Sequence, residues 1–410
     1  MKEKTDSVGL RVPYALAVYG IEEVEAVNRV LTDPSKISPG ELVKEFENKI
    51  ANVFGKKWAV MLNSGSSANL ISLAVLDLPK GSEVITPALT FATTVAPIVQ
   101  LGHIPVFADV EQETYQINIS QIESLISPKT KALLIPSLIG NVPDMEKLRR
   151  LAEKYKLWFI EDSCDTLGAK FAKKPTGYYS DISTTSFYAS HIITAAGGGG
   201  MACFRNAELA QKALVLSSWG RESTLFGAHE KSEDIEKRFK GAIADIKYDA
   251  KFIFSHIGYN FQSTEIGAAF GLEQLKRLEV FSKIRQNNFS NLRDFFNEYE
   301  EFFVLPKQHP DVETNWLAFP LTIKPNTTFT RHEITRFLEE RNIQTRPVFT
   351  GNILRQPGFF GIEHRIVGGG CPVADNIMAN SFLVGCHHGL EEKHLDYLKD
   401  SFRKFLSKLV

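Results

Sequence analysis

From about residue 40 to residue 205, short apolar runs alternate with stretches in which apolar residues recur every three or four positions, the rhythm that predicts an α/β sheet. The runs WAVML (58–62), EVITP (83–87), IPVFADV (104–110), ALLIPSLIG (132–140) and LWFIED (157–162) are bounded by glycine, proline or a carboxylate. Between them the periodicity predicts helices over Ser66–Leu76, Ala92–Leu101 and Asp144–Tyr155, the last following the breaker Pro143. Strands joined through helices need crossovers, so the sheet is expected to be mostly parallel, with ligands beyond the carboxyl ends of its strands. Between Ser217 and Ile257 the pattern loosens into a charged, glycine-punctuated stretch, expected to be a long surface or active-site loop. A long helix is predicted from Ser263 toward Glu298, with a break. From about Val304 a second α/β section begins, closing on the stripe Leu395, Leu398, Phe402, Phe405, Leu406 and Leu409, which predicts one packed helical face. A boundary near 285 then separates an N-terminal arm and large domain (1–285) from a small C-terminal domain (286–410).

Bulk composition agrees with two cores. At 410 residues with 43% hydrophobic content, the chain exceeds the roughly 250–300 residues at which a single core stops growing. Its 47 basic and 48 acidic residues are interspersed and leave a net charge of -1, which gives no bias toward nucleic acid or an anionic membrane and points to a small-molecule partner. Cys164, Cys203, Cys371 and Cys386 stand apart without a CxxC pair, a pattern of a reducing compartment that suggests no structural metal. MKEKTDSVGL lacks the apolar core of a secretion signal and no run reaches the roughly 18–20 apolar residues of a membrane span, so cytoplasmic residence is the expectation.

Four stretches at strand ends carry candidate chemistry. Asn63-Ser64-Gly65-Ser66-Ser67-Ala68-Asn69 joins a strand to a helix. Amides at a helix N-terminus beside hydroxyls and a glycine make an anion site, and an ordinary helix cap accounts for the same residues. Phe91, in Thr90-Phe91-Ala92-Thr93, brings a ring to a strand-to-helix turn, suited to stacking on a planar ligand or to core packing. Asp162, in Glu161-Asp162-Ser163-Cys164-Asp165, needs a partner for its carboxylate. A protonated pyridine nitrogen or a cap on the next turn would both serve. His191 follows Ser186-Phe187-Tyr188-Ala189-Ser190 and precedes the glycines at 197–200. Taken alone it fits a structural role at least as well as a catalytic one.

In this order and spacing the four stretches resemble the fold-type I, aspartate-aminotransferase-like sugar enzymes of the DegT/DnrJ/StrS family, over nearly the whole chain. In that family a lysine that binds pyridoxal phosphate as a Schiff base follows the SFxxx segment, and His191 stands in its place. Together with GYN at 258–260 and TRPVFTGNILRQP at 345–357, this substitution is similar to the branch of nucleotide-linked 4-keto-6-deoxyhexose 3-dehydratases of colitose and ascarylose-type pathways, which supply lipopolysaccharide O-antigen sugars. The resemblance implies a large, mostly parallel sheet domain and a smaller C-terminal α/β domain. It implies that Gly65 and Ser66 hold the cofactor phosphate through amides, with the Ser186 hydroxyl. Phe91 would stack on the pyridine, Asp162 bond its nitrogen, Cys164 underlie the opposite face and Asp165 contact the ring hydroxyl. Asn260 would reach the phosphate from the neighbouring subunit of a homodimer. Ser190, Arg346, Asn352 and Arg355 are the candidate substrate residues; an arginine fork suits a nucleotide diphosphate, and solvated loop arginines read equally well. His387 and His388 resemble a pair in the colitose enzyme, with a surface or substrate-loop role as consistent as catalysis.

Histidine for lysine changes the implied reaction. An imidazole with an ordinary pKa near 6.5 takes and returns protons at neutral pH but cannot anchor an aldehyde covalently. The implied activity is loss of the 3-hydroxyl of a nucleotide-linked 4-keto-6-deoxyhexose, with His191 moving the proton and pyridoxamine phosphate as the working cofactor. Relatives that draw electrons from a reductase carry four clustered cysteines after a WGR-like segment; here Trp219-Gly220-Arg221 is followed by none from 204 to 370. An iron–sulfur cluster needs thiolates, so none is expected, which favours a GDP-4-keto-6-deoxymannose substrate and glutamate as the donor that restores pyridoxamine phosphate. The alternatives are a CDP-4-keto-6-deoxyglucose 3-dehydrase-like enzyme without the cluster, a nucleotide-sugar aminotransferase homologue, and a regulator that lost its lysine. Gly197 departs from the glutamate usual in the family's GEGG turn, which leaves the geometry of that loop to the structure.

Overall fold

The computed structural model describes residues 10–227 and 233–408, so Leu409 of the C-terminal stripe lies outside the described residues. The predicted runs form Trp58–Leu62 (β1), Glu83–Pro87 (β2), Ile104–Ala108 (β3), Thr130–Pro136 (β4) and Trp158–Asp162 (β5), followed by Ile182–Ser186 (β6) and Gly200–Phe204 (β7). Further strands are Phe303–Val304 (β8), Ala318–Ile323 (β9), Thr345–Pro347 (β10), Arg365–Ile366 (β11) and Ser381–Gly385 (β12). The large sheet runs β1-β7-β6-β5-β4-β2-β3-β11. Its ladders are parallel from β6 through to β11, and β7 is inserted antiparallel between β1 and β6. β2, β6 and β7 are buried along their whole length, as expected for strands covered on both faces.

One pairing in this sheet positions the site. Gly200 of β7 faces Leu62 on one side and Ser186 on the other, so the ends of β1 and β6 finish level. The chain leaving β1 enters the helix Gly65–Ala74 (α1) and the chain leaving β2 enters Ala92–Gln100 (α2). Met145–Tyr155 (α3) starts on Asp144, whose side chain accepts from the Lys147 amide, so the residue read as helical is its cap.

The predicted long helix is two, Glu265–Lys276 (α4) and Leu278–Phe296 (α5), separated at Arg277. The second sheet, β8-β9-β12-β10, is antiparallel throughout. Glu392–Leu406 (α6) covers it with Leu395, Leu398, Phe402 and Leu406 buried and Phe405 half-buried, which is the predicted stripe. Residue 285, the boundary expected from the sequence, falls inside α5. Contacts run across that position: Val12 of the arm bridges Ile343, and β11 joins the large sheet beside β3. The 217–257 stretch holds short elements, among them Ile235–Arg238 and a hairpin of Ala242–Ile243 with Ile246–Lys247. No helix among the described residues is long and apolar enough to cross a membrane.

Candidate active site

Gly65 opens α1 where three segments meet. A Cβ on it would lie 2.7 Å from Ser186 Cβ and 2.8 Å from Cys164 Sγ, so only glycine lets this helix N-terminus approach β6 and the turn after β5. Ser64 caps the helix by accepting from Ser67 N at 3.1 Å, which leaves the amides of Gly65 and Ser66 in the first turn, where no helical carbonyl reaches them. Ser186 is buried, and its Oγ accepts from Tyr188 N at 3.2 Å. Ser66 Oγ donates to Thr93 Oγ1 at 3.0 Å, tying α1 to α2.

Asp162 ends β5 nearly buried, and its Oδ2 accepts from Asn69 Nδ2 and Thr94 Oγ1, each at 2.8 Å. Thr184 Oγ1 in turn donates to Asn69 Oδ1 at 2.6 Å, so the amide is fixed with its nitrogen toward the carboxylate. Neither Asn69 nor Thr94 was expected as a site residue. Both lie in the motifs already singled out or one position past them, and their signal was α-helical spacing, Asn69 four residues beyond Gly65 in α1 and Thr94 three beyond Phe91 in α2.

Phe91 caps α2 with its ring 51% exposed and packs edge-on against Phe349 at 6.0 Å between centroids. It borders an open cavity of about 500 Å³ also lined by Tyr14, Arg346, Phe349 and Phe359. His191 follows β6 in a turn, its side chain 16% exposed, with Nδ1 lacking a hydrogen-bond partner among the described residues and 3.7 Å from Asp165 Oδ1. That separation exceeds a hydrogen bond. Burial, together with the Arg285 charge, pushes the imidazole down to about 4, and burial with the neighbouring Asp162 pushes the Asp165 carboxyl up to about 7. The ring is therefore neutral and able to accept a proton from mildly acidic pH upward. Asp165 Oδ2 takes the Ile139 amide at 3.0 Å, which orients the carboxyl. Cys164 has its thiol pushed up by burial and the adjacent Asp162, so it stays protonated.

The remaining candidates divide. Ser190 sits half-buried beside His191, and Arg346 lines the cavity with its guanidinium 5.7 Å from the Tyr14 ring. Arg355 instead gives two hydrogen bonds to Asp375, at 3.0 and 2.8 Å, and Asn352 Nδ2 donates to the same carboxylate at 2.8 Å. Asn260 is exposed, beside Phe261, whose carbonyl accepts from Asn63 N at 2.9 Å. Gly197 adopts φ +93° with open space around a would-be Cβ and donates its amide to Thr194 Oγ1, so glycine suits this loop better than a bulkier residue. His387 and His388 are buried, not at the surface. Burial, with the Arg285 charge next, holds them down to about 3 and about 2 respectively, so both are neutral. Tyr14, from the N-terminal arm, had no sequence signal at all; burial and then Asp165 raise its phenol well above the ordinary range.

A model of the DegT/DnrJ/EryC1/StrS aminotransferase family matches residues 19–403. The chain belongs to that family. It is 38% identical to the lipopolysaccharide biosynthesis protein RfbH of Salmonella typhimurium, over 96% of this chain and 91% of that one. It is 35% identical to the dTDP-4-dehydro-2,6-dideoxy-D-glucose 3-dehydratase of Saccharopolyspora spinosa, over 91% and 82%. Among solved structures it is similar to a GDP-4-keto-6-deoxymannose-3-dehydratase with a trapped PLP-glutamate geminal diamine, with TM-score 0.84, 28% identity and coverage of 95% and 99%. This family member is thus a pyridoxal-phosphate-dependent, sugar-modifying enzyme of the aminotransferase fold. Its residues fit the cofactor: the N-terminus of α1 at Gly65 and Ser66 for a phosphate, an exposed ring at Phe91, and a carboxylate at Asp162 locked by two donors.

Proposed function

We propose that this enzyme removes the 3-hydroxyl of a nucleotide-linked 4-keto-6-deoxyhexose, giving a 4-keto-3,6-dideoxy sugar, with glutamate restoring pyridoxamine phosphate. One observation carries the reading: His191, which the resemblance sets in the place of the Schiff-base lysine, has an Nδ1 without a partner among the described residues and beside Asp165. Pyridoxamine phosphate, when bound, supplies an amine for a sugar ketone and a ring that accepts electrons. The chain's part is to grip it at Gly65, Ser66 and Ser186, stack Phe91 on it, present Asp162 to its nitrogen and exchange protons through His191 Nδ1. A neutral imidazole takes a proton and, once charged, can hand it to a departing hydroxyl. Of the candidate bases we favour GDP on the cysteine pattern, and the glutamate adduct named in the solved relative supports glutamate as donor.

The segment 219–257 leaves Phe239 66% and Ile257 99% exposed, alongside Ile235, Ile246 and Phe254. Apolar chains at this density call for a covering surface, and a second copy of the chain, bringing Asn260 toward the partner's phosphate, supports the homodimer reading.

A cofactor held without a covalent bond behaves differently from a transaminase's. Dialysis is expected to remove it, and borohydride treatment to leave none fixed to the protein, as read by absorbance and intact mass; a reduced adduct on a lysine would overturn the reading. Steady-state kinetics should also separate the two arginines. Arg346→Ala is expected to raise KM for the sugar nucleotide about 10-fold with kcat little changed, in line with loss of a charged hydrogen bond to a phosphate. Arg355→Ala should move either constant less than about 2-fold, since its guanidinium is already engaged by Asp375.

A further inference from the structure

Arg285, in the middle of α5, carries a fully buried guanidinium whose hydrogen bonds among the described residues all run to neutral acceptors. Nη1 donates to the carbonyls of Trp316 and Leu317 at 3.2 and 3.1 Å, Nε to His388 Nδ1 at 3.1 Å, and Nη2 to the backbone carbonyl of His191 at 3.5 Å. A cation buried without a carboxylate is costly, so its retention at this point calls for a reason. His388, accepting through Nδ1, has its own proton on Nε2, and its ring lies flat on Phe281 at 3.9 Å, which fixes where Nδ1 points. Three residues along the same helix, Asn288 Nδ2 donates to the carbonyl of His387 at 3.0 Å. His387 takes the Gly389 amide on Nδ1 and places Nε2 3.0 Å from the Pro13 carbonyl, next to Tyr14 at the cavity. The two-histidine turn, α5 and the His191 turn thus form one connected frame.

We propose that Arg285 and His388 are positioning residues for His191: the guanidinium, held in plane by His388, pins the backbone carbonyl of residue 191 and so sets the imidazole against Asp165 and the cofactor site. This rests on the reading of His191 as the proton carrier. The geometry has an electrostatic consequence. The groups facing the imidazole are Asp165 at 3.7 Å, the Tyr188 ring edge, and Arg285 behind the turn, with Tyr14 coupled to Asp165. Of these, the Arg285 charge adds to burial in keeping the imidazole neutral.

The test compares Arg285→Met, Arg285→Lys, His388→Asn and His388→Leu in the full-length enzyme loaded with pyridoxamine phosphate, reading kcat, KM, the pH profile and the His191 titration by NMR of histidine-labelled protein. Arg285→Met is expected to lower kcat about 10–100-fold with KM and cofactor affinity within about 3-fold. It should also move the acid limb of kcat and the His191 titration upward, toward about 6.5. Arg285→Lys keeps the charge, so the limb stays low while kcat recovers only in part. His388→Asn offers a carbonyl oxygen to Nε and should restore most of kcat; His388→Leu should not. If Arg285→Met does not fold, the His388 pair decides. Equal kcat in His388→Asn and His388→Leu, or an Arg285→Met enzyme with unmoved kcat and titration, overturns the proposal. Failure of the dehydratase reading shows separately, as a 4-amino sugar product that keeps its 3-hydroxyl, whereas the NMR response of His191 to Arg285 needs no sugar at all.

Discussion

His191→Lys is expected to turn a dissociable cofactor into a covalently held one, with a new absorbance band in the visible, and to lower dehydration at least about 10²-fold. The introduced amine would stand where burial and the Arg285 charge already disfavour a cation, so its pKa should fall and much of it would be free to attack an aldehyde. On the proposed reading, a covalent bond there removes the group that shuttles the proton and ties the cofactor in its aldehyde form. Absorbance spectra of the variant with pyridoxal phosphate, and product formation from a 4-keto sugar nucleotide, check both halves. Dehydration at the parent rate would remove His191 from the chemistry.

The second large effect is at Asp162. Asp162→Ala leaves Asn69 Nδ2 and Thr94 Oγ1 without their shared acceptor inside the protein, at about 1–3 kcal/mol for each group stranded. It also takes away the carboxylate proposed to face the cofactor nitrogen, an electrostatic role worth on the order of 10²–10³-fold in rate. Activity should fall by at least that factor and cofactor affinity with it, as followed by spectroscopic titration. Asp162→Asn separates the two losses. The amide can still accept from Asn69 or Thr94, so stability should return while activity does not, because a neutral group no longer favours a protonated pyridine.

The parts of the molecule governed by local pattern were legible in the sequence. Five parallel-sheet strands, the helices that follow β1 and β2, and the closing stripe on α6 are set by periodicity, and the candidate residues Gly65, Phe91, Asp162, Ser186 and His191 share strand ends because crossover topology puts them there. What escaped was built from contacts distant in sequence. The antiparallel insertion of β7 depends on Gly200 fitting against Ser64 and Gly65, where a Cβ would lie 2.2 Å from the Ser64 carbonyl oxygen; nothing local specifies which strands it divides. Tyr14 enters the cavity because Val12 bridges Ile343 and because Gly385, lacking a Cβ, leaves room for the Pro13 carbonyl. Arg285 reads as one more polar position on a long helix, and its burial is decided by Trp316, Leu317 and His388. Arg355 and Asn352 looked alike as phosphate ligands until Asp375, 20 and 23 residues away, was seen to engage both. Charge partners of that kind have no periodic signature.

The most direct measurement follows the nitrogen. With ¹⁵N-glutamate, pyridoxal phosphate and a panel of GDP-, CDP- and dTDP-linked 4-keto-6-deoxyhexoses, the enzyme is expected to release the label as free ammonium, one per 4-keto-3,6-dideoxy sugar and one per 2-oxoglutarate formed. Retention of the label in a 4-amino sugar that keeps its 3-hydroxyl would contradict the account and place the protein among the aminotransferases.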